Sequence, residues 1–360
     1  MEQYEWIEVG LASDQRYFAG LMVTVVSICV FSSDNSCIRI NIITTDIDID
    51  SRKKLEKISK RYKKCVTFNW IEINEDIFED MPDFFFESKL TYARLLFPEV
   101  LNYNKIIYID SDILFLKNIA ELWDIKLGKF PLAAVKDQSV GSFKETFPRW
   151  KKFNINENSP EFNAGILVMN LKLFRKENIH KKAMHLLSCY PEDFPYHDQT
   201  VLNCLLNGRI MELEKSWNFM TNHFNSKKHL ELLRRHAINL HYVTNKKPWI
   251  FCIKNLPDDF FRFFAKSVGI KLVSRNLLVS CIKNSIWRLF PGLLKLRYYI
   301  GSKAAVLVGN DIKSIFFNDQ LKKVGVGDGG FDCDYADVLE KYSLVKKEIS
   351  LYLKDKSHGA

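Results

Sequence analysis

The sequence predicts an α/β fold built on a largely parallel sheet, and three observations carry that expectation. Short apolar runs rich in β-branched residues alternate with helix-like segments through the first half of the chain. Strands separated by helices pair in parallel, and their ligands lie outside the carboxyl ends of the strands. The composition is 47% hydrophobic and 26% charged with only 15 Gly and 10 Pro, which excludes disordered and fibrous classes. At 360 residues the chain exceeds one average domain of roughly 100–200 residues, so a large domain with an appendage is expected.

Trp6–Leu11 is a short apolar run that reads as the first strand. Tyr17–Ser33 carries no charge and is mostly apolar. It falls short of the ~20 apolar residues of a membrane span, and Glu2, Glu5 and Glu8 precede it where a signal peptide would be basic. A buried helix is the expectation. Ile38–Thr44 reads as a strand, Ser51–Tyr62 as an amphipathic helix with Leu55 and Ile58 on one side, and Val66–Ile73 as a strand. Lys89–Phe97 looks helical, and Lys105–Ile109 and Leu132–Val135 are compact strands. Beyond them, Gly165–Leu171 reads as a strand, Gln199–Asn207 as a helix ended by Gly208, and Asn239–Val243 as a further strand.

Fifty-two basic and 43 acidic residues leave a net charge of +9, which suggests an anionic partner without naming it. The eight cysteines, at 29, 37, 65, 189, 204, 252, 281 and 333, form no Cys-x-x-Cys pair. Zinc-ribbon and thioredoxin-type sites are therefore not expected, and scattered free thiols in a reducing compartment are.

In the segment Tyr108-Ile109-Asp110-Ser111-Asp112 the acidic pair follows four apolar residues, 106–109, at a predicted ligand edge. Side chains two apart in an extended chain share a face, so Asp110 and Asp112 can converge on one point. Carboxylates that close repel unless a cation lies between them, and hard divalent ions favour such oxygens. The alternative is a solvated Asp-Ser-Asp turn. Similar pairs of readings hold elsewhere. Asp14 can cap the next helix, Arg94 can form a surface ion pair, His241 can be a core histidine, and Asp198-Gln199 can open a helix.

Taken in order, Ala12-Ser13-Asp14, Thr91-Tyr92-Ala93-Arg94, Asp110-Ser111-Asp112, Phe162-Asn163-Ala164-Gly165, His197-Asp198-Gln199, His241-Tyr242 and Lys247-Pro248-Trp249 form a specific set. The set resembles the family-8 retaining glycosyltransferases, which include bacterial lipopolysaccharide galactosyl- and glucosyltransferases. The resemblance covers about Ile7 to Trp249. It implies a GT-A fold, a Rossmann-like nucleotide-diphospho-sugar transferase with a mixed, mainly parallel sheet. It also implies a UDP-galactose or UDP-glucose donor and a Mn²⁺ or Mg²⁺ ion.

By the same resemblance Asp110, Asp112 and His241 are the metal ligands, a donor set suited to Mn²⁺. Ala12, Ser13 and Asp14 match the loop that holds uracil and ribose, and Arg94 and Lys247 match residues near the diphosphate. Thr244 stands where a diphosphate-contacting glycine is common. Asp137, Asn163, Asp198 and Gln199 match the sugar-binding set, with Ser111 and Ala164 completing the donor site. Asp198 and Gln199 are the expected catalytic pair. An amide is a poor nucleophile, so same-face attack by the acceptor hydroxyl is favoured over a covalent glycosyl-enzyme.

Composition changes after Asp259. From Phe260 to Asn310 there is no acidic residue, while nine Lys and Arg are spaced among Phe, Leu, Ile, Val and Trp. A segment of this kind suits an anionic membrane surface. A basic helix packed on the catalytic domain and a nucleic-acid patch are the alternatives; no nucleic-acid-binding signature is present, so no such partner is expected. The expected domains are thus a catalytic unit at 1–259, a basic amphipathic segment at 260–310, and a helical extension at 311–360 with a helix near Ala336–Lys354. The glycines of 325–330 with Asp328, Asp332 and Asp334 lack the spacing of an EF-hand loop and read as a turn. The functional expectation is a retaining hexosyltransferase acting on lipopolysaccharide core or a related bacterial surface glycan. It would be cytoplasmic and peripheral on the inner face of the membrane. Glycosylation of a protein from the same donor is the alternative activity, and a non-catalytic basic membrane- or RNA-associated protein the alternative class.

Overall fold

The computed structural model describes residues 6–272 apart from 83–87, 141, 143–149, 154, 225–226, 235–237, 244 and 251–255. A seven-stranded sheet runs in the order β3-β2-β1-β4-β7-β6-β8. Its strands are β1 (Trp6–Ala12), β2 (Cys37–Thr44), β3 (Val66–Glu72), β4 (Lys105–Ile109), β6 (Leu132–Lys136), β7 (Phe162–Asn170) and β8 (Ile210–Leu213). A small second sheet has the order β5-β10-β9, from Ile113–Leu114, Leu240–His241 and Phe219–Met220.

Strands β3, β2, β1 and β4 are mutually parallel, while β7 is antiparallel to both β4 and β6. The sheet is therefore mixed. Apolar runs mark strands but do not encode the polarity that their connections impose.

Alternation along the central strands supplies two cores. In β4, Ile107 and Ile109 face one apolar cluster, and Ile106 and Tyr108 face the other. On the first face lies α1 (Phe18–Phe31), buried on nearly all sides because the sheet and two further helices enclose it. Its polar residues are occupied. Thr24 Oγ1 accepts from the Ile113 amide at 3.3 Å, and Ser27 Oγ from the Phe115 amide at 2.9 Å. The second helix, α2 (Ile49–Tyr62), is amphipathic and buries Leu55 and Ile58. Asp48 caps it by accepting from the Ser51 amide at 2.7 Å.

The third helix on this face is Leu256–Ser267, which buries Phe260, Phe261 and Phe264 in the core that contains α1. It runs across the expected boundary at 259/260, so the first residues of the basic segment pack as a helix. The remainder, with the extension at 311–360, the helix near Ala336–Lys354 and the turn at 325–330, lies outside the described residues. Among the described residues no helix is long and apolar enough to cross a membrane.

Several boundaries move for local reasons. The expected helix Lys89–Phe97 is a 3-10 helix over Lys89–Leu95 followed by one α turn, Phe97–Val100. Pro98 lacks the amide hydrogen that would continue the ladder. Strand β7 starts at Phe162 and stops at Asn170, whose side chain caps the next helix through the Leu173 amide at 3.0 Å. The helix expected at Gln199 begins two residues earlier, at His197.

The expectation of free thiols fails for one pair. Ile38 lies opposite Val66, so Cys37 and Cys65 stand side by side in register and form a disulfide with Cα atoms 4.8 Å apart. Cys29, Cys189 and Cys204 are free thiols, and burial pushes Cys29 up to about 12.

Candidate active site

Four loops meet at the carboxyl ends of β1 and β4. Asp110 immediately follows β4, and its amide donates to Gly165 O in β7 at 2.8 Å. Two residues on, Asp112 leads into β5, where antiparallel pairing sets Ile113 opposite His241. The Tyr242 amide donates to Asp112 O at 3.1 Å. The small sheet thus delivers an imidazole to the acidic loop. Ser111 Oγ bonds Ala12 O, which ties this loop to the end of β1.

Ligand atoms of Asp110, Asp112 and His241 all lie within 4.8 Å of one another. His241 Nε2 is 3.7 Å from Asp110 Oδ2 and 3.3 Å from Asp112 Oδ1. Asp110 Oδ1 accepts from Arg94 Nη2 at 3.0 Å and from the Tyr108 hydroxyl at 2.7 Å. Asp112 Oδ2 accepts from Lys247 Nζ at 2.6 Å. Burial raises the Asp110 carboxyl above its ordinary value against the pull of Arg94, and the Asp112 charge adds to the rise. Burial also opposes the Asp112 charge, but Lys247 and His241 outweigh it and hold that carboxyl well below the usual range.

Arg94 serves two carboxylates. Its Nε pairs with Asp198 Oδ2 at 2.9 Å, Nη1 bonds Ala164 O, and the guanidinium lies 4.6 Å from the Tyr108 ring centroid. Burial raises the Asp198 carboxyl, with Arg94 and Thr91 opposing. Asp198 and Gln199 open the helix His197–Leu205 from an unusual backbone. His197 sits at φ 48°, a left-handed conformation costing of order 1–3 kcal/mol, and the Tyr92 hydroxyl contacts its Nδ1 at 2.9 Å.

On this side the amides interlock. Gln199 Oε1 accepts from Asn163 Nδ2 and the Ala164 amide, each at 3.2 Å. Gln199 Nε2 donates to Glu161 Oε1 at 3.0 Å and to Asp137 Oδ2 at 3.3 Å. Asp137 Oδ2 also accepts from Asn163 Nδ2 at 3.0 Å.

The fold therefore brings Asp110, Ser111, Asp112, His241 and Lys247 together, joined through Arg94 to Asp198 and through Asn163 to Asp137, Ala164 and Gln199. Ala12 and Ser13 close the edge at β1. Asp14 is a cap as well, accepting from the Tyr17 amide at 3.0 Å and from Arg16 at 2.8 Å. Thr244 lies outside the described residues. Sequence reasoning missed Glu161, Tyr108 and Asn218, whose Oδ1 stands 2.8 Å from His241 Nδ1. Glu161 and Asn218 lie where no spacing signals chemistry, whereas Tyr108 shares the Asp110 face by strand alternation. It also gave Gly165 no role, although a Cβ there would come within 2.3 Å of His241 Cε1.

These groups fit a hard divalent cation. Asp112 Oδ1 is buried without a hydrogen-bond partner, a situation that ordinarily costs about 1–3 kcal/mol. Arg94 and Lys247 face three carboxylates, Asp110, Asp112 and Asp198, which leaves excess negative charge at the point where the three ligand atoms converge. Gly165→Ala is expected to push the imidazole aside and weaken binding of a divalent cation, probed with Mn²⁺, about tenfold or more, with an unchanged circular dichroism spectrum. Wild-type affinity in that variant, measured by the electron paramagnetic resonance of free Mn²⁺, would contradict the placement.

Residues 8–251 match the family described as "Glycosyl transferase family 8". The chain is 26% identical to "General stress protein A" of Bacillus subtilis over 74% of its own length and 95% of that protein. It is 23% identical to the "Lipopolysaccharide 1,3-galactosyltransferase" of Salmonella typhimurium, over 67% of this chain and 72% of that one. A solved structure of the galactosyltransferase LgtC in complex with donor and acceptor sugar analogs superposes with a TM-score of 0.61 at 25% identity, covering 73% of this chain and 96% of that one. With its mixed, mainly parallel sheet and this edge of loops, the chain belongs to glycosyl transferase family 8 and is a GT-A-fold glycosyltransferase.

Proposed function

We propose that this protein transfers a hexose, galactose or glucose, from a UDP-sugar to an acceptor glycan with retention at the anomeric carbon, using Mn²⁺. The observation that carries the reading is the convergence of Asp110, Asp112 and His241 beside the amide cluster of Asn163 and Gln199. Relatives named as a lipopolysaccharide 1,3-galactosyltransferase and, in Escherichia coli, a lipopolysaccharide 1,2-glucosyltransferase favour a hexose and a lipopolysaccharide-core or related bacterial surface acceptor.

The family resemblance and the chemistry of the side chains support each role. A divalent ion held by Asp110, Asp112 and His241 would supply Lewis-acid stabilisation of the diphosphate leaving group. Lys247 spans from Asp112 toward Tyr242 O and adds a cation at the same edge. Ala12, Ser13 and Asp14 hold the nucleoside end.

Asp198 and Gln199, with Asn163 and Asp137, read sugar hydroxyl groups. Gln199 is held on both its oxygen and its nitrogen, so it positions the sugar as a fixed neutral amide. The acceptor hydroxyl then attacks from the face that UDP leaves, and its proton passes to the departing phosphate oxygen. Arg94 links the two halves, because one guanidinium pairs with both Asp110 and Asp198.

The proposed location is cytoplasmic and peripheral on an anionic membrane surface, with the glycolipid acceptor in that surface. Support comes from the basic, acid-free composition of 260–310. Because the helix Leu256–Ser267 packs on the core, attachment rests on the basic residues that follow it. In a reducing compartment the β2–β3 ladder would still hold Cys37 and Cys65 side by side as thiols.

The direct test is a donor screen measuring UDP release. UDP-galactose or UDP-glucose should turn over with Mn²⁺, stop on chelation and resume when the ion is restored. Asp112→Ala should lower turnover about a hundredfold or more, and normal turnover in that variant would remove the metal assignment. Replacing Arg275, Lys283 and Arg288 together with Ala should weaken binding to anionic vesicles by about a hundredfold, at about 1 kcal/mol per charge. Equal binding to neutral and anionic vesicles would rule out the membrane role.

A further inference from the structure

Asn218 is fully buried just before β9 and belongs to none of the motifs that mark this site. Its Nδ2 donates to Asn163 Oδ1 at 2.7 Å, and its Oδ1 faces His241 Nδ1 at 2.8 Å. Backbone and carboxylate partners dictate which way these amides point. The Gly165 amide can only donate, and it bonds Asn163 Oδ1 at 2.9 Å. Asp137 Oδ2 accepts from Asn163 Nδ2 at 3.0 Å. Asn163 therefore presents its oxygen to Asn218, which must answer with its NH₂ group. That turns the Asn218 oxygen toward the imidazole.

An amide oxygen accepts and never donates, so the ring nitrogen facing it must carry a proton. His241 then carries a proton on Nδ1, so in the neutral ring it is Nε2 that keeps a lone pair, directed toward Asp110 and Asp112. The opposite tautomer would set two lone pairs against each other at 2.8 Å. The same relay reaches the sugar side, because Asn163 Nδ2 also donates to Gln199 Oε1 at 3.2 Å.

We propose that Asn218 is a positioning residue that fixes His241 in the Nδ1–H tautomer and so presents Nε2 as a ligand for the divalent cation. This inference rests on the metal reading above. Outer partners that orient a ligating histidine typically change metal affinity by about 10–100-fold when removed.

The test uses the full chain, metal-free and labelled with ¹⁵N-histidine, at about pH 8.5, above the ordinary imidazole range. Long-range ¹H–¹⁵N spectra should show His241, assigned by its loss in His241→Ala, protonated at Nδ1 and bare at Nε2. Asn218→Leu should mix the tautomers and weaken Mn²⁺ binding, read from free Mn²⁺ by electron paramagnetic resonance, by about 10–100-fold. A neutral ring protonated at Nε2 and bare at Nδ1 in the wild type overturns the proposal, and this outcome holds even if the variant fails to fold. A folded Asn218→Leu protein with the wild-type tautomer and affinity overturns it as well. If His241→Ala binds Mn²⁺ as the wild type does, the metal reading falls instead, and the tautomer still decides what Asn218 does.

Discussion

Two carboxylates separated by a single residue on a short loop repel each other, and much of the surrounding structure answers that repulsion. Asp110 and Asp112 are held between β4 and β5, with Asp112 buried and Asp110 partly exposed. Arg94 compensates one and Lys247 the other, while His241 faces both. Arg94 is itself spread over a second carboxylate, Asp198, and an aromatic face. The compensation is incomplete, as the orphaned Asp112 Oδ1 records. A site left short of positive charge fits a divalent cation.

Positioning of the third ligand depends on a very small sheet. Sheet β5-β10-β9 has only two residues in each strand, yet it sets His241 against the acidic loop. Asn239 ties this sheet together by accepting from the Leu116 and Lys117 amides and donating to Trp217 O. Beneath it, α1 passes so closely at Gly20 that an added Cβ would lie 2.5 Å from Ser111 O. The apolar helix that resembles a membrane segment in sequence is thus the floor of the site.

Much of the fold is legible in the residues. Short apolar runs locate β1, β2, β3 and β4, and the amphipathic spacing around Leu55 and Ile58 locates α2. The spacing of Asp110 and Asp112 predicts a shared face, and Tyr108 follows the same alternation to place its hydroxyl on Asp110. What the residues do not reveal is long-range. The reversal of β7 and the two-residue strands carry no periodicity of their own. Asn218 and Glu161 acquire meaning only when the chain returns to the site from 55 and 38 residues away. Cys37 and Cys65 likewise pair because of strand register, which their separation of 28 does not disclose.

One cation position shared by three side chains underlies the site. The most direct measurement is an anomalous diffraction map, recorded at the manganese edge, from crystals grown with Mn²⁺ and UDP. A single peak bound by Asp110, Asp112 and His241 Nε2, with diphosphate oxygens completing its shell, is the predicted result. A peak held by other residues, or UDP seated with no manganese beside these three, would contradict it.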